Sequence, residues 1–289
     1  MINVNRFIRL EKQIDDLKLD VYGIEVYCDD ALVYKHFWKD DIVYPIYSAT
    51  KTYTSTVVGI ACDMKLMSVN DSIVKYLDEE TIRGINNSSF DVLSKLSLED
   101  FLTMSISGYP FRPQGEDWLL DSLNTKIQLD IEKKAHYSNV PAYLIGIACE
   151  NAVEMPFMEF SDKYLFQMMN SPVPRFITDS NGRYYGATGF EMRLSDFSKL
   201  GLLWLNNGCF DGLQVVSSSW INRAVQPYTV IESESYGYFV WVYGDYYCIK
   251  GKWGQNCIVF PKEKIVVSYL SSVDNRTNQL QKIVVDSII

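Results

Sequence analysis

Three short stretches of this chain carry residue types that together can perform acyl transfer: Ser48 with Lys51, Tyr137 with Asn139, and Lys252-Trp253-Gly254-Gln255. A hydroxyl at the start of a helix sits beside unsatisfied backbone N–H groups and the positive end of the macrodipole, so negative charge developing there is stabilised. Lys51 follows Ser48 by one helical turn and rises on the same face. A buried ammonium so placed either organises the hydroxyl's protons or, once desolvation lowers its pKa, takes the proton itself. The S-x-x-K spacing is that arrangement, and Ser48 is read as a nucleophile.

The tetrapeptide alone is a weak signal. With Ser and Lys each near 6–7% of residues, a chain of 289 residues shows it about once by chance, and Ser72-Ile73-Val74-Lys75 also fits. The plainer alternative makes Ser48 a helix N-cap. Ser48 is preferred because the extended stretch Ile42-Val43-Tyr44-Pro45-Ile46-Tyr47 leads into it. The small residues that follow, from Ala49 and Thr50 to Gly59, make a helix that others can approach closely.

Tyr137-Ser138-Asn139, the only Y-x-N in the chain, precedes an apolar helix expected over Val140–Ala148. A tyrosine beside ammonium groups can have its phenol pKa lowered enough to accept the serine proton, and Asn139 can donate to a substrate carbonyl. Alternatively both simply cap the helix. In the third stretch, Lys252 on a strand edge would add positive potential, and Gly254 would let a substrate approach the backbone. The N–H groups of Gln255 and Ser48 would form an oxyanion hole, each donor being worth about 3–4 kcal/mol in the transition state. K-x-G also occurs at Lys199-Leu200-Gly201, inside a helical pattern where it cannot serve as a strand edge.

The elements that must position these residues follow from periodicity. A short amphipathic helix (Phe7, Leu10, Ile14, Leu17) precedes a hairpin over Val21–Cys28 and Leu32–Phe37, with a turn at Asp29-Asp30. From Ser48 to about Val225 the pattern is helical: a helix from Ser48 to about Met67, a capping box at Ser97-Leu98-Glu99-Asp100, a helix over Phe197–Leu205 capped by Ser195-Asp196, and another starting at Ser217. Strands return at Tyr236–Tyr243, Tyr246–Lys250, Asn256–Phe260 and Ile265–Leu270, and a helix carrying Leu280, Ile283, Val284 and Ile288 closes the chain. The expected fold is α+β: an antiparallel sheet formed by both termini (1–45 and 236–289) and flanked by the terminal helices. A mostly helical subdomain (46–235) is inserted between them, with the cleft at the junction. The loop from Tyr109 to Trp118, with Arg112 and Glu116, is long enough to serve as a lid.

Hydrophobic content of 47% and charged content of 22% fit a soluble globular protein, and a net charge of −9 argues against nucleic acid or anionic membrane as a partner. The expected partner is a small molecule. No segment has the length of a signal-peptide core or a membrane span, which leads to an expected cytoplasmic location. Six scattered cysteines without C-x-x-C read as buried free thiols, and no metal or other cofactor is expected.

The order and spacing of Ser48/Lys51, Tyr137/Asn139 and Lys252/Gly254 resemble the S-x-x-K, Y-x-N and K-T-G elements of the serine β-lactamase and penicillin-binding-protein superfamily, in its class C β-lactamase-like branch. The likeness also takes in Thr52–Ile60, Leu98–Ser105, Gly186-Ala187-Thr188-Gly189 and Gly251–Val267. It implies a β-lactamase/transpeptidase-like fold and an acyl-enzyme on Ser48. Proton transfers would be shared by Tyr137 and Lys51, Lys252 would support the field, and the Ser48 and Gln255 N–H groups would bind the oxyanion. Trp253 departs from the pattern, replacing the threonine whose hydroxyl helps hold a substrate carboxylate, and this favours the esterase-like and amide-cleaving members. Aromatic residues near it (Tyr236, Tyr238, Trp241, Tyr243, Tyr246, Tyr247) offer an apolar pocket, although aromatic residues also favour strands for structural reasons. The expected function is a serine hydrolase acting on a small ester or amide, β-lactams and D-amino-acid peptides included. The alternative is a noncatalytic or slowly deacylating binding module of the same fold. A Ser-His-Asp reading through His136 lacks a G-x-S-x-G elbow.

Overall fold

The computed structural model describes residues 5–129 and 135–289. Strands β1 (Val21–Cys28) and β2 (Ala31–Phe37) form the expected hairpin. Its two turn residues, Asp29 and Asp30, both have positive φ (46° and 64°), the twist a two-residue hairpin turn requires. Six further strands follow late in the chain: β3 (Thr229–Ile231), β4 (Glu234–Tyr236), β5 (Trp241–Tyr243), β6 (Tyr246–Gly251), β7 (Gln255–Phe260) and β8 (Ile265–Ser271). All eight make one antiparallel sheet in the order β2-β1-β8-β7-β6-β5-β4-β3. The two ends of the chain meet where β1 pairs with β8, Val26 opposite Val267. The fold is α+β with an antiparallel sheet, as the sequence suggested.

The sheet departs from expectation in its later part. The single strand expected over Tyr236–Tyr243 is two strands, because the chain folds back between them: the Gly237 N–H donates to Val240 O at 2.8 Å, and Phe239 takes a left-handed φ of 56°. The Phe239 N–H is shared between Gly237 O at 2.9 Å and Leu102 O at 3.1 Å. The sheet also begins earlier than expected, taking in Thr229–Ile231 and Glu234–Tyr236.

Five longer helices cover and extend this sheet: α1 (Asn5–Asp16), α2 (Thr50–Asp63), α3 (Val140–Val153), α4 (Leu194–Leu205) and α5 (Thr277–Asp286). The first and last pack on one face, where Phe7, Leu10 and Ile14 join Leu280 and Val284 over Val26, Ile258 and Val267. On the other face α4 lies across β1, β7 and β8, and α2 and α3 pack together beyond it. Gly201 permits the close approach of α4. A β-carbon there would meet the Val266 side chain at 2.7 Å as well as the Cys257 sulfur.

Three helix starts repay comparison with the sequence. Ser97 and Asp100 form the expected capping box: the Asp100 N–H donates to Ser97 Oγ (3.3 Å), and the Ser97 N–H donates to the Asp100 carboxylate (2.8 Å). α4 starts at Leu194 rather than after a Ser195-Asp196 cap. Asp196 therefore lies in its first turn, where the macrodipole favours a carboxylate, and pairs with Lys199 at 2.9 Å. Ser72 caps the short turn Ile73–Tyr76, and Lys75 pairs with Asp71 on the surface at 2.7 Å, so the second S-x-x-K is a cap with an ion pair. Cys149, Cys248 and Cys257 are buried free thiols, while Cys28, Cys62 and Cys209 are free and partly exposed. Among the described residues, no helix is long and apolar enough to cross a membrane.

Candidate active site

Ser48 lies in a single 3-10 turn, Tyr47–Ala49, that runs directly into α2 at Thr50. The expected helix is thus shorter, and its first turn tighter. Tyr47 enters this turn with a left-handed φ of 49°, a conformation that costs energy for a non-glycine residue and is found where function constrains the backbone. Its ring packs edge-to-face on Trp253 at 5.1 Å, and Trp253 is itself left-handed with φ 62°. The Trp253 carbonyl is pinned by the Ser271 hydroxyl (2.8 Å) and the Val273 N–H (3.0 Å).

α2 is buried from Thr50 to Ala61 despite its many hydroxyls. Most of these are satisfied by the surroundings: Thr52 donates to Phe239 O (2.7 Å), Thr54 to Gly186 O (2.8 Å), and Thr56 accepts from the Trp204 indole (3.0 Å). This seats Lys51 in the interior with 1% exposure. Its ammonium donates to Asn139 Oδ1 at 2.7 Å, to Ala187 O at 2.9 Å and to Ser48 Oγ at 3.3 Å. Burial lowers the Lys51 pKa from its ordinary value of 10.5 to about 7.

Asn139 stands at the N-cap position of α3 but makes no side-chain cap. Ser138 takes that part, its Oγ accepting from the Val140 N–H at 3.0 Å. The Asn139 amide spans the interior instead, giving its oxygen to Lys51 and donating from its nitrogen to Tyr185 Oη at 3.0 Å. The capping alternative for this residue is excluded.

Tyr137 lies with its ring centroid 5.0 Å from the Lys51 ammonium, stacked on Trp241 (5.9 Å) and edge-on to Tyr236 (6.1 Å). Its phenol is not acidified as the sequence suggested. Burial pushes its pKa up to about 12, while a hydrogen bond with Ser48 pulls the other way. The group whose pKa falls into the working range is Lys51. His136 is exposed, with its backbone N–H donating to Met104 O at 2.9 Å.

The third stretch is placed differently from the first two. Lys252 is exposed, its ammonium 4.4 Å from the centre of the Trp253 ring. The bare Cα of Gly254 faces the Ser271 hydroxyl and α5, where an added β-carbon would sit 2.6 Å from Ser271 Oγ. The Gln255 side chain is buried and accepts from the Ser271 N–H at 3.1 Å. The glycine that abuts the Ser48 turn is Gly251, whose β-carbon would strike the Ile46 carbonyl, and Gln255 is its partner across β6 and β7. Direct contacts therefore gather Ser48, Lys51, Tyr137 and Asn139. Sequence reasoning missed Gly251, Tyr185 and the Ala187 carbonyl. The Gly186-Ala187-Thr188-Gly189 stretch was visible as part of the resemblance but carried no assigned role. Of the candidate lid, Pro110 O accepts from the Ser138 hydroxyl (2.6 Å) and Phe111 O from the Asn139 N–H (2.7 Å), which ties that loop to the start of α3.

A serine hydroxyl, a buried lysine of lowered pKa, a tyrosine and an asparagine in contact are groups of the kinds that acyl transfer uses. Among the described residues no group of three or more His, Cys, Asp or Glu side chains converges as a metal site. The Beta-lactamase family profile matches residues 24–285. The chain belongs to the beta-lactamase family. Its fold is similar to that of the class C beta lactamase from Rhodobacter sphaeroides (TM-score 0.76, 14% identity, 99% of each chain). It is also similar to EstCE1, described as a hydrolase with promiscuous acyltransferase activity (TM-score 0.78, 11% identity, 99% of this chain and 98% of that one). The penicillin binding protein from Bacillus halodurans is a third relative in fold (TM-score 0.71, 14% identity, 96% of this chain and 99% of that one). No curated protein sequence matches the chain.

Proposed function

We propose that this beta-lactamase family protein is a serine hydrolase that cleaves a small ester or amide through an acyl-Ser48 intermediate. The observation that carries the reading is Lys51, buried and hydrogen-bonded to Ser48 at 3.3 Å with a pKa of about 7, so that a neutral amine is available near neutral pH. Neutral Lys51 takes the Ser48 proton as Oγ attacks the substrate carbonyl carbon. The resulting oxyanion is held by the Ser48 N–H at the head of α2 and the Gln255 N–H. The proton then passes through Lys51 and the Tyr137 phenol to the leaving group as its bond to the carbonyl carbon breaks. Water, deprotonated by the same pair, attacks the acyl carbon and Ser48 recovers its hydroxyl. Lys252 adds positive potential at the rim, and the cleft lies where the sheet, which takes in its last strands from Thr229 onward, meets the helical segment that precedes them.

Trp253, in place of a hydroxyl residue, supports esters and amides lacking a carboxylate next to the scissile bond over β-lactams and D-amino-acid peptides. The same substitution gives the second reading its support: a module that is acylated slowly or only binds. Intact mass of the wild type and Ser48→Ala after exposure to a short-chain activated ester and to a β-lactam, with turnover followed in parallel, tests both. An adduct or turnover that disappears in the variant is expected. Retained turnover in Ser48→Ala refutes the nucleophile, and an adduct without turnover selects the slow module.

A further inference from the structure

We propose that Arg112 is a specificity residue that receives a carboxylate at the far end of the acyl group, so that the substrate is a monoester or monoamide of a dicarboxylic acid. The inference rests on the acyl-Ser48 reading and deepens it, naming the acyl group that reading leaves open.

Tyr137 and Asn139 lead away from Ser48 to different walls. Tyr137, through which the proton reaches the leaving group, is flanked by Trp241 and Tyr236 of the sheet. Asn139 is bonded instead to Tyr185, whose ring packs on Trp118 at 5.3 Å. With the leaving group toward the sheet, the acyl chain runs past Asn139 and Tyr185. Arg112 stands on that path. The Phe111 carbonyl, joined directly to the Arg112 nitrogen, accepts from the Asn139 N–H at 2.7 Å, and the Pro110 carbonyl accepts from the Ser138 hydroxyl at 2.6 Å. These two bonds fix the root of the Arg112 side chain beside Asn139. Its far end is near Tyr185: burial raises the Tyr185 phenol pKa, and Asn139 and the Arg112 guanidinium pull it back.

Arg112 is exposed, and among the described residues its side chain makes no ion pair or hydrogen bond. The acids on its own loop leave it free. Asp117 pairs with Arg183 at 3.1 Å and caps the helix Trp118–Leu123, and Glu116 is exposed and joins no ion pair among the described residues. In a chain of net charge −9, a guanidinium left unpaired beside Asn139 is open to an anion from outside. Its planar fork matches a carboxylate with two parallel hydrogen bonds, and its single charge balances that of a carboxylate, whereas a phosphate carries nearly two. Lys252 is a point charge already seated over the Trp253 ring. Trp253 disfavours a carboxylate next to the scissile bond, and Arg112 favours one at the other end of the acyl chain. In the reaction the bond from acyl carbon to leaving group breaks, the leaving group departs with the proton passed by Tyr137, and the oxygen of water joins the acyl carbon. The products are the alcohol or amine and the dicarboxylate, with one proton released from the new carboxyl group.

The test uses the mono-p-nitrophenyl esters of glutarate, adipate and pimelate, each beside its neutral counterpart with the free carboxyl capped as a methyl ester, uncatalysed rates being subtracted. The readout is the ratio of kcat/KM for the charged over the neutral ester. In the wild type this ratio is expected to exceed one at one chain length or more and to shrink with added salt. Arg112→Gln should lower it about tenfold, the low end for a charge-assisted hydrogen bond because Arg112 is exposed. Lys282→Gln, which removes an equal charge from α5 on the opposite face of the sheet, should keep the wild-type ratio. A ratio unmoved in Arg112→Gln, or lowered equally in Lys282→Gln, overturns the proposal. If the wild type turns over none of the esters, it is the acyl-Ser48 reading that fails, and calorimetric titration with adipate then decides the anion contact. Binding about tenfold weaker in Arg112→Gln than in the wild type upholds that contact, and equal or absent binding overturns it.

Discussion

The sharpest consequence of the buried lysine is a pH profile. At its ordinary pKa of 10.5, Lys51 would be neutral in about 1 molecule in 3,000 at pH 7; at a pKa of about 7 the fraction is about one half. If neutral Lys51 takes the Ser48 proton, the acylation rate must follow that fraction. Below pH 7 the rate should fall tenfold per pH unit, to about a hundredth of its plateau at pH 5, and above about pH 8 it should be level. The assay is the burst release of p-nitrophenol from a short-chain ester between pH 5 and 9, read as kcat/KM where turnover is complete. Lys51→Met should remove the limb together with a factor of about 100 to 10,000 in rate, the usual contribution of a general base. The Tyr137 phenol, at about 12, contributes no limb in this range. A flat wild-type profile from pH 5 to 9 would refute the reasoning, because it would mean that Lys51 stays charged and another group accepts the proton.

Four further outcomes are expected. The unfolded chain keeps its proton on Lys51 up to about pH 10.5 while the folded state loses it near 7, so stability should rise with pH between those values, by at most about 1.4 kcal/mol per unit; denaturant melts of wild type against Lys51→Met isolate that slope. Trp253→Thr, which restores a hydroxyl, should shift the ester-to-β-lactam ratio of kcat/KM toward the β-lactam by about 10- to 100-fold, the worth of one hydrogen bond to a carboxylate. Tyr137→Phe should lose most activity while His136→Ala keeps it, and the reverse pattern in the same ester assay would reinstate a histidine base. Gly201→Ala forces a methyl between α4 and the sheet at Cys257 and Val266 and should cost about 1–3 kcal/mol in chemical denaturation, leaving the Lys51 midpoint unchanged.

Local signals carried most of this architecture. The terminal helices, the first hairpin, the Ser97 capping box and the partners of β6, β7 and β8 follow from periodicity and turn chemistry, since each is decided by residues close in sequence. The break at Gly237–Val240 is not legible because Tyr236–Tyr243 is aromatic and strand-like throughout, while the fold-back that closes on Gly237 and Val240 is also held by the Leu102 carbonyl, distant in sequence. The same distinction runs through the site. Ser48 and Lys51 share a turn of helix and could be paired on spacing, whereas the Tyr185–Asn139 bond and the Ala187 carbonyl on Lys51 join elements that only tertiary packing brings together. The Tyr137 pKa is missed for a related reason: the motifs place a lysine near the phenol, but not the Trp241 ring stacked on it or the Tyr236 ring edge-on to it, which help to bury it.

The pairing of β1 with β8 dictates an order of events during synthesis. The first hairpin leaves the ribosome early, yet one edge of β1 has no partner until Ile265–Ser271 has emerged, and helix α5, which covers the same apolar face, comes later still. Throughout that interval Ile24 and Val26 form part of an unfinished sheet, a state prone to pairing with other chains. Ser48, Lys51 and Asn139 are all translated well before Gly251 closes against the Ser48 turn, so these side chains can meet before the strand beside them is in place. A nascent chain arrested before β8 would therefore hold Ser48, Lys51 and Asn139 on a half-built scaffold, and β8 with α5 acts as its latch.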